Sequence, residues 1–217
     1  MTLELFKDAG RVGPEVQVLG EGAVVLRGLA LEDEAALLKD LRNVVLGAGF
    51  RRMVTPGGHQ MSVAMTNCGA LGWVTDRTGY RYQGIDPDSG RAWPVMPESF
   101  LGLAGKAASV AGYGGFVPDA CLINQYEVGA KMSLHQDKNE RDFGQPIVSV
   151  SLGIGAVFLF GGMERSDVQQ RVALQHGDVV VWGGESRLRF HGVLALKEAE
   201  HVRLGRRRIN LTFRKAG

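Results

Sequence analysis

Apolar positions along the chain follow two periods. Over residues 31–46, LEDEAALLKDLRNVVL, the residues Leu37, Leu38, Leu41, Val44 and Val45 fall on one stripe, with acids in the first turn. That stripe predicts an amphipathic helix, which Gly47 and Gly49 would end. A second helix is predicted to open at Pro97, a favoured first-turn proline, and to run to about Ala111. From Cys121 onward the texture changes to CLINQY, IVSVSL, AVFLF, RVALQ, VVVW, LRFHGV and RINLTFR, separated by Gly-rich or charged turns. These read as short strands. In IVSVSL, Ile147, Ser149 and Ser151 take one face, and Val148, Val150 and Leu152 the other. The pattern predicts an α+β, mainly β fold: a sandwich or jelly roll with the helices buttressing one sheet. Residues 50–94 are only weakly patterned and carry Trp73, Tyr80, Tyr82 and Trp93. They read as a long functional loop, since the aromatic content argues against disorder.

The length of 217 residues suits one domain, and 45% hydrophobic residues suffice for a core. The 31 glycines imply frequent turns. No repeat, low-complexity tract or linker stands out. The net charge of +2 decides little, but Arg203, Arg206, Arg207, Arg208, Arg214 and Lys215 crowd one end. On charge alone they read as a solvated tail, with a nucleic-acid footprint as the alternative. Two cysteines without a CxxC pair fit a reduced, cytoplasmic compartment. MTLELFKDAG lacks the apolar run of a signal peptide. Residues 143–163 carry no charge, but their glycines and Pro146 favour two buried strands joined by GIG over a membrane span.

The stretch LHQDKNE at 134–140 sets a histidine and an aspartate two apart. If KMSLHQD is a strand, His135 and Asp137 aim at one point. A third ligand must come from His59, His176, His191 or His201. His176 sits in what looks like a hairpin turn and His201 among charges in an exposed loop. His191 has the strand-end position and is the choice, although periodicity does not exclude His176. Two imidazoles and a carboxylate form the facial triad of non-haem Fe(II) oxygenases, while zinc hydrolases use similar sets. The last strand bears on that choice. RRRINLTFR places Arg208, Asn210, Thr212 and Arg214 on one side and Ile209, Leu211 and Phe213 on the other. Two buried arginines would suit a ligand with two carboxylates; an exposed edge strand is the plainer reading.

HQD at 135–137, His191 and R-x-N-x-T-F-R at 208–214 together resemble the AlkB family of Fe(II)- and 2-oxoglutarate-dependent dioxygenases. So do MVTPGGHQMSVAMTNCGALGW at 53–73, PDACLINQY at 118–126 and VVVWGGESRL at 179–188. The resemblance spans nearly the whole chain. It implies a double-stranded β-helix (jelly-roll) core with an N-terminal nucleotide-recognition lid. Within one catalytic domain, 1–217, residues 1–115 would supply extension, buttressing helices and lid, and 116–217 the core. It implies oxidative demethylation of N-alkylated bases such as 1-methyladenine and 3-methylcytosine in single- or double-stranded DNA, and in RNA, with Fe(II), 2-oxoglutarate and O2. Carried over residue by residue, His135, Asp137 and His191 hold iron. Asn124, Tyr126, Arg208, Asn210 and Arg214 hold 2-oxoglutarate. Met65, Trp73, Tyr80, Arg81, Tyr82 and Arg165 meet the nucleotide, with the base stacked between Trp73 and His191, and Lys131 suits a phosphate. Asn139 also faces the base, at a position where relatives carry an acid; an amide both accepts and donates, which predicts a weaker preference for amino-bearing bases. A monomer without membrane contact is expected. The rivals are an oxygenase of the same type acting on protein or a small molecule, and a non-catalytic jelly-roll module.

Overall fold

The computed structural model describes residues 15–217, so MTLELFKDAG and its reading lie outside the described residues. The described residues begin with strands β1 (Glu15–Gly20) and β2 (Ala23–Arg27), followed by helix α1 (Glu34–Gly47). Strands β3 (Ala64–Gly69), β4 (Gly72–Asp76) and β5 (Gly79–Gln83) precede helix α2 (Glu98–Val110). Then come β6 (Ala120–Glu127), β7 (Met132–His135), β8 (Ile147–Gly153), β9 (Ala156–Phe160) and β10 (Gln170–Leu174). Strands β11 (Val179–Trp182), β12 (His191–Val193) and β13 (Arg207–Arg214) complete the fold. The major sheet runs β1-β2-β11-β8-β13-β6-β3, the minor sheet β10-β9-β12-β7, and β4-β5 form a separate hairpin. Among the described residues no helix is long and apolar enough to cross a membrane.

Alternation along the major-sheet strands decides the layers. Val148, Val150 and Leu152 of β8, Val179 and Val181 of β11, and Ile209, Leu211 and Phe213 of β13 join one core with α1 and α2. Phe100 of α2 meets Phe213 edge-on at 5.9 Å. Residues of opposite parity face the minor sheet: Ile147, Val180, Trp182 and Tyr126 pack with Phe158, Phe160, Val172 and Leu174. The two antiparallel sheets with helices on one outer face are the expected jelly roll. The alternating faces of β8 and the two helices stand where the sequence predicts them, with Pro97 immediately before α2.

Four local expectations change. The weakly patterned 50–94 region holds β3, β4 and β5. KMSLHQD is strand only through His135, and Asp137 lies past its end. GIG joins strands of different sheets, and Gly153 must be glycine: its φ is +95°, and a Cβ there would stand 2.2 Å from the Arg207 carbonyl oxygen. His176 occupies no hairpin, because β10 and β11 also belong to different sheets.

Candidate active site

Strands β7 and β12 pair so that His135 and His191 stand directly opposite each other, their rings 4.4 Å apart. Gly192 makes that approach possible: a Cβ there would lie 2.8 Å from the Met132 carbonyl oxygen. Asp137 curls in from the loop after β7, its Oδ1 3.6 Å from His135 Nε2 and its Oδ2 3.8 Å from His191 Nε2. The three ligating atoms lie within 4.8 Å of one another. His191 and Asp137 are buried and His135 is half-buried, which leaves one side open.

The backbone fixes the ring states. His135 Nδ1 donates to the Ser133 carbonyl (2.9 Å) and His191 Nδ1 to the Arg189 carbonyl (3.0 Å). With Nδ1 protonated, each Nε2 presents a lone pair toward Asp137. Burial, reinforced by nearby His135, lowers the His191 pKa to about 4, so this ring is neutral at pH 7. Burial opposes ionisation of Asp137, but the Arg214 guanidinium, bonded to it twice, outweighs this and holds the carboxyl well below its usual range. Two imidazole Nε2 atoms and an ionised carboxylate suit a ferrous ion with open positions.

A second cluster, Glu34, His176 and His201, has similar composition and the opposite tautomers. Here Nδ1 accepts: His176 from the Gly153 N–H (2.9 Å) and His201 from the Arg203 N–H (3.3 Å). Their protons therefore sit on Nε2, and His176 Nε2 donates to Glu34 at 3.1 Å. Such rings have no lone pair to offer a metal. The cluster clamps the start of α1 to two turns, and His201 is half-buried there instead of lying in an exposed loop. Of the two histidines left open by the sequence, His191 is the one whose Nε2 lone pair is free, and His176 is the one already engaged at both nitrogens.

The polar face of β13 points between the sheets. Arg208 is 2% exposed, lies over the Tyr126 ring at 5.0 Å and donates from Nη2 to Ser151 Oγ at 2.9 Å. Its Nε and Nη1 have no partner among the described residues, and neither has Asn124 Oδ1. A buried guanidinium with two idle donors fits a carboxylate. Asn210 accepts from Asn124 (3.1 Å) and Thr212 (2.9 Å) and donates to Ser149 Oγ (2.8 Å). Arg214 is committed elsewhere: Nε and Nη2 donate to Asp137 Oδ2 at 2.9 and 2.6 Å. The basic cluster is thus no uniform solvated tail. Arg208 and Arg214 are buried, while Arg206 pairs with Glu198 on the surface.

Four of the expected nucleotide residues, Tyr80, Arg81, Tyr82 and Asn139, line one cavity of about 320 Å³ beside Arg141. Trp73 stacks on Tyr80 at 5.6 Å, and its Nε1 donates to Asn139 Oδ1 at 3.4 Å. Arg81 folds back on its own hairpin, paired with Asp76 at 2.7 Å. Arg165 is exposed and donates to the Leu134 carbonyl beside His135 (2.6 Å). Lys131 is exposed, whereas Met65 is 1% exposed and belongs to the core cluster against which Trp73 packs. Three residues escaped the sequence reading. Asn67 grips the backbone of Trp73 with both ends of its amide, at 3.0 Å each. Glu140 and Arg187 form a buried pair at 3.1 Å. Their spacing gives no sign of this.

Comparison with known proteins agrees with this chemistry. The family model of the 2OG-Fe(II) oxygenase superfamily matches residues 22–214. Alpha-ketoglutarate-dependent dioxygenase AlkB of Escherichia coli strain K12 is 55% identical over 215 residues, covering 99% of this chain and 98% of that protein. The DNA N(6)-methyladenine demethylase ALKBH1C of Arabidopsis thaliana is 30% identical and covers 99% of this chain and 52% of its own length. The solved structure of OsALKBH1 superposes with a TM-score of 0.81 at 30% identity, covering 93% of this chain and all of that one. The chain belongs to the AlkB family within the 2OG-Fe(II) oxygenase superfamily, and it is a dioxygenase that uses Fe(II), 2-oxoglutarate and O2.

Proposed function

We propose that this dioxygenase removes N-alkyl groups from bases in DNA, and in RNA as a further substrate, reversing alkylation damage directly. The observation that carries the reading is the convergence of His135, Asp137 and His191 beside the idle donors of Arg208. The names of the relatives in E. coli and A. thaliana support the substrate class. Iron with 2-oxoglutarate and O2 supplies oxidation of an N-methyl to an N-hydroxymethyl group, which then leaves as formaldehyde and restores the base.

The chain's own residues set the geometry. His135, Asp137 and His191 hold the ion. Arg208 grips one carboxylate of 2-oxoglutarate, with Tyr126, Asn124 and Asn210 shaping the slot. Arg214 spends Nε and Nη2 on Asp137 and keeps Nη1 for the co-substrate. The target base must leave the stack, which costs least where alkylation has already weakened pairing. Trp73 offers a stacking face worth roughly 1–3 kcal/mol per base, with His191 on the other side. Tyr80, Arg81, Tyr82 and Asn139 border the nucleotide, Met65 backs it, and Arg165 and Lys131 reach toward phosphates. The described residues up to about 115 supply the lid, the buttressing helices and the flanking strands β1, β2 and β3 of the major sheet, and about 116–217 the catalytic core, in a cytoplasmic monomer. Asn139 relaxes the preference for amino-bearing bases.

The test is formaldehyde release from a single-stranded oligonucleotide carrying one 1-methyladenine. Native protein is expected to release it, and Asp137→Ala is expected to release none. Turnover of 2-oxoglutarate that responds to a peptide or a free nucleoside and ignores the oligonucleotide would overturn the reading.

A further inference from the structure

We propose that Glu140 is a positioning residue that sets how strongly Asp137 holds its metal, and that the Tyr82 phenol modulates it. The inference rests on the metal reading above. Four charged side chains are buried together: Asp137, Glu140, Arg187 and Arg214. Arg214 serves both carboxylates, with two hydrogen bonds to Asp137 and its Nε 3.5 Å from Glu140 Oε1. Arg187 holds the other oxygen of Glu140 at 3.1 Å. It also donates to the backbone carbonyls of Asp137 (2.8 Å) and Gln145 (3.0 Å), which ties down both ends of the 137–145 stretch that carries Glu140. The Tyr82 hydroxyl donates to Glu140 Oε1 at 2.5 Å. Tyr82 belongs to β5, so this chain of contacts links the hairpin at the nucleotide cavity to a metal ligand.

The direction of each effect follows from who competes for which lone pair. An arginine bonded to Asp137 draws electron density that the metal also needs. Glu140 draws Arg214 the other way and so strengthens Asp137 as a ligand. The Tyr82 phenol occupies the same oxygen of Glu140 that faces Arg214, and so weakens that pull. Removing the Glu140 charge and removing the Tyr82 hydroxyl therefore move metal affinity in opposite directions. A purely structural role would move both downward through loosened packing.

The experiment titrates Co(II) into metal-free protein and follows its visible absorption, with thermal melting to check folding. Glu140→Gln is expected to weaken Co(II) binding about tenfold, the usual scale for a group behind a ligand. Tyr82→Phe, which deletes a single oxygen atom, is expected to tighten it. Tyr82→Phe binding that is unchanged or weaker overturns the proposal even where Glu140→Gln fails to fold. So does native-like affinity in Glu140→Gln. Native protein that binds no Co(II), or His135→Ala that binds it as well as native, would instead sink the metal reading itself.

Discussion

Arg208 and Arg214 stand six residues apart on one face of β13 and meet different partners. Arg208 has two idle donors, while Arg214 is bonded twice to Asp137. Their loss therefore has different signatures. A hydrogen bond to a charged group is worth about 1.5–3 kcal/mol, so Arg208→Met is expected to weaken 2-oxoglutarate binding roughly ten- to hundredfold. Calorimetric titration checks this, and Co(II) affinity should not move. Arg214→Met leaves Asp137 buried without its counter-charge, which typically costs about 3–5 kcal/mol. Urea unfolding of the metal-free protein reads that loss. Equal 2-oxoglutarate affinity in native protein and Arg208→Met would refute the assignment. The two arginines were legible because strand period puts them on one face with Asn210. Glu140 was not. It lies in a charged turn between exposed Asn139 and exposed Arg141, and sequence gives no sign that it alone of the three turns inward. The tautomers that distinguish His191 from His176 depend on backbone groups. The Ser133, Arg189 and Arg203 groups lie two residues from their histidines and act through local ring orientation, while the Gly153 N–H on His176 is brought near only by the fold.

At the scale of elements, the site depends on how closely β12 can lie against β7. β12 has three residues, and its central Gly192 has no room for a Cβ beside Met132 and Leu134. Gly192→Ala must push the strands apart, at a typical overpacking cost of about 1–3 kcal/mol. His191 and His135 flank that contact, so the expected result is a folded protein with Co(II) affinity lowered at least tenfold, on the scale of a disturbed ligand support. A Co(II) titration matching the native one would show that the ligands do not depend on this approach. The well-read elements have strong period and strong burial: β8, β11 and β13 are almost wholly buried. The missed ones lack one or the other. β1 is an edge strand with Val16 and Val18 exposed, so its alternation marks no core face. β3 buries Thr66 and Asn67, whose side chains bond the backbone of Ala48 and Trp73. A polar pair in a sheet reads as loop until those partners are seen.

At the scale of the whole molecule, the described residues hold two histidine clusters, and both affect the response to acid. Burial lowers the His191 pKa to about 4, and burial with nearby His201 also lowers that of His176. An unfolded histidine takes up its proton near pH 6.5. Between about pH 6.5 and 4 the unfolded chain therefore binds more protons than the folded one, and stability falls as pH falls. Above that window the contribution is complete; below it the folded form protonates as well and the slope ends. Folded Asp137 stays ionised throughout, since its carboxyl is held below the usual range, whereas an unfolded aspartate begins to take up its proton below about pH 5. Asp137 therefore adds to the fall in stability only at the acid end of this window and beyond it. For His191 alone the shift corresponds to roughly 3 kcal/mol, a large share of a typical domain's stability. Urea unfolding of the metal-free protein at about pH 7 and pH 5 measures it. The expected outcome is a clearly lower midpoint at the acid end. His191→Gln should remove most of the difference and leave the smaller part due to His176. A midpoint that does not move with pH in the native protein would mean that His191 titrates normally, and is not held neutral between the sheets as a ligand in waiting.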